Sequence, residues 1–299
     1  MRLYCLISAF IFFMSCNNNK STHSFDLEGH RGCRGIMPEN TIPAMIKAID
    51  LNVNTLEMDV VMTADKKVVV SHEPYFNHEI TTPPAGDTIT AANEWNYNIY
   101  YMTYDSVKWY DVGMKPYPRF SEQKKMHVVK PLLADLIDSV ESYCAKTNHP
   151  KVDYNIEIKS LDSSDNIYHP APAEYADLLM HIINAKRIAD RVIIQSFDPR
   201  SLKVVREKYP GMILSFLIDA GDTTSLKGFK KLLGFKPEII SPDYSLLNRN
   251  IIDSMHQQNI RVIPWTVDDI EAARKLYSWG VDGIITDYPD RINLKTIKQ

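Results

Sequence analysis

Short apolar runs rich in β-branched residues alternate along this chain with longer segments of helical period. Because parallel neighbours in a sheet are joined by crossovers of a dozen or more residues, this alternation predicts a parallel sheet covered by helices. Repeated about eight times, it favours an α/β fold of the TIM (β/α)₈ barrel type. A doubly wound open sheet is the alternative, but the sequence lacks its glycine-rich dinucleotide-binding fingerprint. The predicted strands are SFDLEGH (24–30), NTLEMDVVMT (54–63), KVVVSH (67–72), DYNIEIK (153–159), RVIIQSF (191–197), MILSFLI (212–218), EIISPDY (238–244), RVIPWTV (261–267) and GIITDYP (283–289).

Helical patterns fall between most of these strands. In the first, 40–52, apolar residues recur at i, i+3, i+4 and i+7 from Ile42, and Asn40 stands where an N-cap is expected. The last pattern ends at Gly280, a residue suited to a left-handed C-terminal cap. The other predicted helices are PLLADLIDSVESYC (131–144), AEYADLLMHIINAK (173–186), DPRSLKVVREKY (198–209), NRNIIDSMHQQN (248–259) and DDIEAARKLYSWG (268–280).

The alternation of strands and helices is interrupted between the second and third strands, which are separated only by ADKK (64–67). Four residues are too few for a crossover helix, so this connection is predicted to be a hairpin turn. A turn centred near residues 65–66 would set Asp59 opposite His72. The hairpin also explains why nine strand segments are counted for an eight-stranded barrel.

A second break spans residues 73–130, which show no clear period. A structureless loop of this length is uncommon, so we interpret the segment as a cap subdomain inserted after the third strand. We expect its aromatic residues to form a small core of their own, with some at the mouth of a pocket. They are Tyr75, Phe76, Trp95, Tyr97, Tyr100, Tyr101, Tyr104, Trp109, Tyr110, Tyr117 and Phe120.

The first sixteen residues, MRLYCLISAFIFFMSC, differ from the rest of the chain. A charged start and an apolar stretch too short to span a bilayer precede Cys16, which is typical of a lipoprotein signal. We therefore predict a signal peptide over 1–16, lipidation at Cys16, a polar tether over 17–24, a catalytic barrel over 25–295, and attachment to a membrane of the cell envelope. A plain signal anchor or a cleaved secretory peptide is the alternative.

Composition narrows the remaining possibilities. The chain is 44% hydrophobic and 24% charged with a net charge of −3, so it has the composition of a globular protein without a basic signature for nucleic acid. Cys33 and Cys144 lie far apart and form no CxxC pattern. We expect both to be free thiols rather than part of a disulfide framework or a zinc site.

Carboxylates stand near the carboxyl ends of two predicted strands, where barrels bind their ligands. Glu57 and Asp59 are two residues apart and therefore share a face, and Glu157 lies within the apolar run YNIEIK. Buried carboxylates repel one another unless a positive charge lies between them. Three oxygen donors at one mouth predict a hard divalent cation, Ca²⁺ or Mg²⁺. The alternative for any single acid is a salt bridge, to Arg31 or Lys159 for example.

Two histidines and two basic residues belong to the same strand ends. His30 and His72 could serve as an acid/base pair, while Arg31 and Lys159 suit a phosphate group. Together with a divalent cation, this set of residues indicates phosphodiester cleavage, with one histidine accepting a proton and the other donating one. Asn40 could cap the first helix or reach into this site.

The motifs HRG (30–32), PENT (38–41), LEMDV (56–60), VVVSHEP (68–74), IEIK (156–159), PWTV (264–267) and GIITDYP (283–289) resemble those of the glycerophosphodiester phosphodiesterase family. The resemblance runs from about residue 25 to residue 295. It implies a barrel of the phospholipase C-like phosphodiesterase type with an insertion after the strand that carries the second histidine. The implied reaction is hydrolysis of glycerophosphodiesters to glycerol 3-phosphate and an alcohol.

The resemblance also implies roles for individual residues. Glu57, Asp59 and Glu157 match the family's metal ligands, and His30 and His72 match its catalytic pair. The residues expected to contact the substrate are Arg31, Lys159, Trp265, Gln195 and Asn40, with Trp265 packing against the glycerol moiety.

Two departures from the family pattern are visible. Glu73 stands where aspartate is usual, and Arg34 lies inside the opening loop, where it could contact phosphate or remain solvated. Two other readings stay open at this point. One is a metal-independent phospholipase C-like lyase on the same barrel, which would not need the acid trio. The other is a non-catalytic phosphodiester-binding lipoprotein.

Overall fold

The structure is a computed structural model that describes residues 25–299. Eight parallel strands follow one another in the order β8-β7-β6-β5-β4-β2-β1-β9, and β3 pairs with β2 off this path. Backbone hydrogen bonds from Asp282 N to Val262 O and from Ile285 N to Pro264 O, both 2.9 Å, close the ring between its last two strands. The predicted barrel is therefore confirmed. The strands are β1 (Asp26–Gly29), β2 (Thr55–Met62), β3 (Val68–Val70), β4 (Asp153–Ile158), β5 (Val192–Ser196), β6 (Ile213–Ile218), β7 (Ile239–Pro242), β8 (Arg261–Val262) and β9 (Gly283–Thr286).

The described residues form nine α-helices, most of which cover the outside of the ring. They are α1 (Ile42–Asp50), α2 (Tyr104–Val107), α3 (Leu133–Thr147), α4 (Pro172–Lys186), α5 (Pro199–Lys208), α6 (Thr223–Leu233), α7 (Arg249–His256), α8 (Ile270–Trp279) and α9 (Leu294–Ile297). Each helix predicted from its period is present, and α8 ends at Gly280 in the left-handed conformation, as expected. Helix α6 was not predicted, although Asp222 caps its start and a left-handed Gly234 its end.

The start of α1 corrects one prediction. The N-cap is Thr41, whose hydroxyl accepts a hydrogen bond from Ala44 N at 3.3 Å, and not Asn40. Asn40 has a φ of +57° and turns its side chain away from the helix. Its side-chain amide instead donates to Asp59 on β2.

The hairpin between β2 and β3 is confirmed, but its predicted register is wrong by one residue. Val60 pairs with Val70 and Met62 with Val68, so the turn is centred on residue 65. Asp59 consequently faces Ser71, whose N–H donates to Asp59 O at 2.9 Å, and not His72. His72 is the next residue along, beyond the regular pairing.

Residues 73–130 leave the barrel after β3 and rejoin it at α3. They contain helix α2 and three 3₁₀ turns, Glu94–Asn96, Ile99–Tyr101 and Pro118–Phe120. The rings of Phe76 and Tyr110 stack at a centroid distance of 3.9 Å inside a small apolar cluster, whereas Trp95 and Trp109 are exposed. The assignment of this segment as a cap subdomain stays a prediction.

The signal peptide, tether and lipidated Cys16 predicted for residues 1–24 lie outside the described residues. Within 25–299, none of the helices combines the length and the apolar character that crossing a membrane requires.

The interior of the barrel is divided into an apolar half and a polar half. On one side, Ile193, Ile239, Ile263 and Ile285 pack against one another beneath Trp265. On the other, strands β1, β2 and β4 point polar side chains inward, and Glu28, Glu57, Asp59, Asn155 and Glu157 are all buried there. The polar half rises toward the carboxyl ends of the strands and forms the floor of the candidate site.

Candidate active site at the barrel mouth

Glu57, Asp59 and Glu157 form a compact carboxylate cluster. Parallel pairing sets Asp59 directly beside Glu157, and one oxygen from each of the three residues lies within 4.8 Å of the others. Burial, together with Asp59, raises the pKa of Glu57 well above its ordinary value. Burial and the Asp59 charge also raise the pKa of Glu157 to about 7, against the opposing effect of Lys159. Burial alone would raise the pKa of Asp59 as well, but the charges of His72, Arg31 and Lys159 hold it well below its ordinary value. A divalent cation would stabilise the ionised forms of all three carboxylates.

The donor set fits the cation predicted from the sequence. All three groups offer carboxylate oxygens, which Ca²⁺ and Mg²⁺ prefer, and the described residues place no thiolate or imidazole ligand in the cluster. Glu57, Asp59 and Glu157 would hold the ion, and neighbouring groups already orient their other oxygens.

Arg31 and Lys159, predicted to contact phosphate, lie against these carboxylates. Lys159 Nζ is 2.9 Å from Glu157 Oε1 and 3.7 Å from Asp59 Oδ1. The Arg31 guanidinium donates to Glu39 Oε1 at 2.8 Å and lies 3.4 Å from Asp59 Oδ2. Its Nε is buried without a hydrogen-bond partner, so the guanidinium keeps one donor unused.

The loop after β1 holds the backbone of Arg31 against the carboxylate cluster. Its backbone N–H donates to Glu57 Oε2 at 2.8 Å with a φ of +50°. Gly32 follows at φ +85°, and a Cβ there would lie 2.7 Å from the backbone carbon of Ala44. The absence of a side chain at Gly32 therefore lets the loop pack against α1.

His30 is held by a carboxylate from the last strand. Its Nδ1 lies 2.6 Å from Asp287 Oδ1, and its Nε2 lies 4.0 Å from Glu57 Oε2. Burial, reinforced by Arg34 and opposed by Asp287, lowers the pKa of His30 to about 4. The ring is therefore neutral at neutral pH, with Nδ1–H donating to Asp287 and Nε2 left as the proton acceptor.

Arg34 completes this arrangement from below. Its Nε and Nη2 donate to the two oxygens of Asp287 at 2.9 and 2.8 Å, and its guanidinium stacks over the Phe120 ring at 4.7 Å. Burial alone would raise the pKa of Asp287, but His30 and Arg34 hold it well below its ordinary value. Arg34 is thus buried instead of solvated, and the Nε–Nη2 edge of its guanidinium is occupied by Asp287.

His72 has a carboxylate partner of its own. Its Nδ1 lies 2.6 Å from Glu73 Oε1, and burial followed by the charges of Lys159 and Arg31 lowers its pKa below the ordinary value. The longer Glu73 side chain reaches back to the ring of the preceding residue. Both histidines therefore present Nε2 as the free nitrogen.

Three other predicted site residues contact the cluster or its walls. Asn40 Nδ2 donates to Asp59 Oδ2 at 2.8 Å, so this residue does reach into the site. Gln195 is 1% exposed, and its Nε2 donates to Glu57 Oε1 at 2.8 Å, which places it under the carboxylates instead of in open contact with a substrate. Trp265 donates from Nε1 to Ser241 O and packs edge-to-face with Phe197 at 5.5 Å.

Two residues of the site, Asp287 and Asn155, were not predicted from the sequence. Asp287 directly follows β9, which is the position that marks a site residue in a barrel, and the motif GIITDYP already contained it. Asn155 donates to Gln195 Oε1 at 3.1 Å and to Glu28 Oε2 at 2.7 Å, extending the polar column below Glu57. Its inward orientation follows from its position two residues before Glu157.

A parallel barrel whose acids, histidines and basic side chains meet at one mouth has the architecture of a barrel hydrolase. The family model of the glycerophosphoryl diester phosphodiesterase family matches residues 30–291. The chain therefore belongs to this family and is a phosphoric diester hydrolase.

Individual relatives agree with this assignment. A glycerophosphodiester phosphodiesterase of Bacillus subtilis is 27% identical over 269 residues, covering 87% of this chain and 83% of the relative. A crystal structure from Silicibacter pomeroyi, assigned as a glycerophosphoryl diester phosphodiesterase, superposes with a TM-score of 0.81 at 27% identity, covering 93% of this chain and 94% of that one. An Oleispira antarctica phosphodiesterase in complex with the product sn-glycerol-3-phosphate shares the fold, with a TM-score of 0.71 at 20% identity, covering 92% of this chain and 97% of that one.

Proposed function

We propose that this chain hydrolyses glycerophosphodiesters to glycerol 3-phosphate and an alcohol, using a divalent cation and a histidine pair. The observation that carries the proposal is the buried trio of Glu57, Asp59 and Glu157 at the same mouth as His30 and His72. The Oleispira antarctica structure supports the substrate class, because its product is sn-glycerol-3-phosphate.

The cation would be Ca²⁺ or Mg²⁺, held by Glu57, Asp59 and Glu157. When bound, it would polarise a phosphoryl oxygen and lower the pKa of the attacking hydroxyl or water. Arg31 and Lys159 now neutralise the cluster; with the cation present, their positive charges would become available to the phosphate oxygens.

His30 and His72 would carry the protons. Each has its Nδ1 against a carboxylate, Asp287 or Glu73, and this contact fixes the ring orientation. Proton transfer would then take place at Nε2, with one histidine accepting from the nucleophile and the other donating to the leaving oxygen.

The product distinguishes hydrolysis from the lyase alternative. We would incubate the protein with glycerophosphocholine and follow the phosphorus species by ³¹P NMR. A hydrolase yields the glycerol 3-phosphate monoester as the final product, with or without a cyclic phosphate on the way. Accumulation of a cyclic phosphodiester as the end product would contradict the proposal and favour a lyase, and no reaction with any glycerophosphodiester would favour a binding protein.

We also propose that the mature protein is anchored to a membrane of the cell envelope through lipid on Cys16. The support is the sequence of residues 1–16, with its charged start and short apolar stretch before the cysteine. Cys16→Ser should move the protein out of the membrane fraction and remove the lipid mass from its N-terminal peptide. An unlipidated N-terminal peptide in the unmodified protein would favour a signal anchor or a cleaved secretory peptide.

A further inference from the structure

A cavity of about 360 Å³ opens beside His72 and leads away from the carboxylate cluster. At one end it is lined by His72, Glu157 and Lys159, which belong to the candidate active site. Four aromatic side chains also line it: Phe197, whose ring lies beside Lys159, and a cluster of Tyr75, Trp95 and Tyr168. The cavity is therefore continuous with the position of the phosphodiester, and whatever alcohol occupies it would be attached to that phosphate.

Three of these rings come from two separate segments and are inclined to one another by 44° to 72°. Tyr75 and Trp95 belong to residues 73–130 and lie 4.3 Å apart. Tyr168, from the segment after β4, is inclined to Tyr75 by 67° and to Trp95 by 72°, at centroid distances of 6.4 and 6.1 Å. Rings arranged in this way form a corner, so one rounded group in the cavity can touch more than one of them.

Charged groups of both signs line the cavity: Glu73 precedes Tyr75 by two residues, whereas Lys159 Nζ lies 5.9 Å from the centroid of the Phe197 ring. Burial, followed by the charges of Glu73 and Glu94, raises the pKa of the Tyr75 phenol to about 12. Glu73 Oε2 is also buried without a hydrogen-bond partner. A cationic ligand would be attracted both by these carboxylates and by the faces of the rings.

Polar groups that line the cavity are largely engaged elsewhere. Ser160 Oγ lies 2.7 Å from Ser201 Oγ, and His169 accepts from Leu161 N at Nε2 while its Nδ1 lies 2.9 Å from Pro170 O. Lys159 is bound to Glu157. An alcohol with several hydroxyls would give up hydrogen bonds to water here without full replacement.

We propose that this aromatic pocket binds the leaving alcohol and selects one that carries a quaternary ammonium group, of which choline is the simplest. The inference rests on the proposed function, since it assigns the head group of the same diester. A trimethylammonium group is bulky, positively charged and without N–H donors, so it can contact the rings of Tyr75, Trp95 and Tyr168 and be attracted by the Glu73 carboxylate. A primary ammonium or a polyhydroxy alcohol keeps hydrogen-bonding needs that the pocket meets poorly.

The deciding comparison is between glycerophosphocholine and its neutral isostere, the 3,3-dimethylbutyl diester, which replaces the nitrogen by carbon. The two have the same shape and differ in charge. We expect kcat/KM for the choline diester to be roughly ten-fold higher, an advantage typical of a cation held by aromatic rings. Equal or faster turnover of the neutral diester would overturn the inference and make the pocket an apolar one.

Variants of Trp95 test whether its indole ring causes the preference for the choline diester. Trp95→Leu keeps apolar surface but removes the π face, and it should reduce the choline-to-isostere ratio severalfold, while Trp95→Phe should retain most of it. Trp109→Leu is the matched control, because Trp109 belongs to the same segment, is 71% exposed and does not line the cavity. An unchanged ratio in Trp95→Leu would overturn the role of this pocket even if the enzyme hydrolyses both diesters. Failure to hydrolyse any glycerophosphodiester would instead overturn the proposed function, and this inference with it.

Discussion

His30 and Asp287 lie near opposite ends of the chain and meet at 2.6 Å, Nδ1 to Oδ1, where the first strand of the barrel pairs with the last. His30 follows β1 and Asp287 follows β9, and these two strands pair in parallel, with Gly29 beside Thr286. Pairing of the first strand with the last therefore does more than bury a core, because it places the Asp287 carboxylate against one histidine of the proposed acid/base pair. Arg34 then holds that carboxylate from the second side.

Replacement of Asp287 should impair turnover far more than substrate binding. In Asp287→Asn, the amide cannot stabilise a protonated His30 and its N–H₂ group faces the Arg34 fork. We expect kcat to fall by roughly 10²- to 10⁴-fold with little change in KM. Steady-state kinetics over a pH series would measure this, and the acidic limb of the profile should shift because the partner of His30 has changed.

Asp290→Asn is the control for this variant, since Asp290 is an exposed acid three residues further on. If Asp287→Asn retained the rate and pH profile of the unmodified enzyme, the orienting role given to Asp287 would be wrong. A large loss in Asp290→Asn would point to a general effect on this segment.

Stability should depend on the protonation of His30. The pKa of His30 falls from its ordinary 6.5 to about 4 in the folded protein. Between these values the unfolded chain binds more protons, so the free energy of unfolding decreases as the pH falls from 6.5 toward 4, by up to ~3 kcal/mol. The contribution is fully present above pH 6.5. Urea unfolding at pH 7, 6, 5 and 4.5 would measure it.

His30→Asn should flatten this dependence. The amide of asparagine can donate to Asp287 from nearly the position of Nδ1, yet it does not titrate. The stability curve of the variant should therefore lose part of the decline below pH 6.5. Parallel curves for the two proteins would show that His30 is not the group responsible.

His72 should be needed for chemistry and dispensable for folding. It is partly exposed at the mouth, and its one side-chain hydrogen bond in the described structure goes to the adjacent Glu73. His72→Ala should lower kcat by roughly 10²- to 10⁴-fold while Tm changes little. His181→Ala, an exposed histidine on α4, is the control. Retained activity in His72→Ala would remove His72 from the proposed acid/base pair.

Gln195 should act on the cation through Glu57. Gln195→Met preserves most of the side-chain volume but removes the N–H that fixes Glu57 Oε1 at 2.8 Å. We expect the Kd for Mg²⁺ or Ca²⁺ to rise by roughly 10- to 100-fold, as for other groups that orient metal ligands. Calorimetric titration of the metal-free protein measures this without any assay of activity, and the exposed Gln257→Met provides the control. An unchanged Kd would leave Gln195 with a packing role alone.

Much of the architecture was readable from the sequence because each barrel strand is buried on both faces. Runs such as VIIQS and ILSFLI have few other ways to bury their side chains, and all nine predicted strands are present. Helix α6 escaped prediction because Thr223, Thr224, Ser225 and Gly228 have low helix propensity and mask an otherwise amphipathic pattern.

The detailed geometry of the site was harder to predict from the sequence. The register of the β2–β3 hairpin depends on the conformation of its turn. Lys66 adopts a φ of +57° there, a left-handed conformation that is not expected of lysine from the sequence. Asn40 was equally plausible as a cap or a site residue, and only the fold shows that Thr41 takes the cap. The pairing of Arg34 with Asp287 spans 253 residues, so no local pattern could have revealed it.

The most direct test of the account is to titrate metal-free enzyme with Mg²⁺ and Ca²⁺ while measuring both ion binding and hydrolysis of a glycerophosphodiester. We predict no turnover after chelation, and recovery with Mg²⁺, Ca²⁺ or both, along the same concentration curve as binding. In Glu57→Gln both curves should move together to higher concentration, because one of the three carboxylates has lost its charge. Full turnover by the chelated enzyme, or a binding curve that Glu57→Gln leaves unchanged, would contradict the central claim.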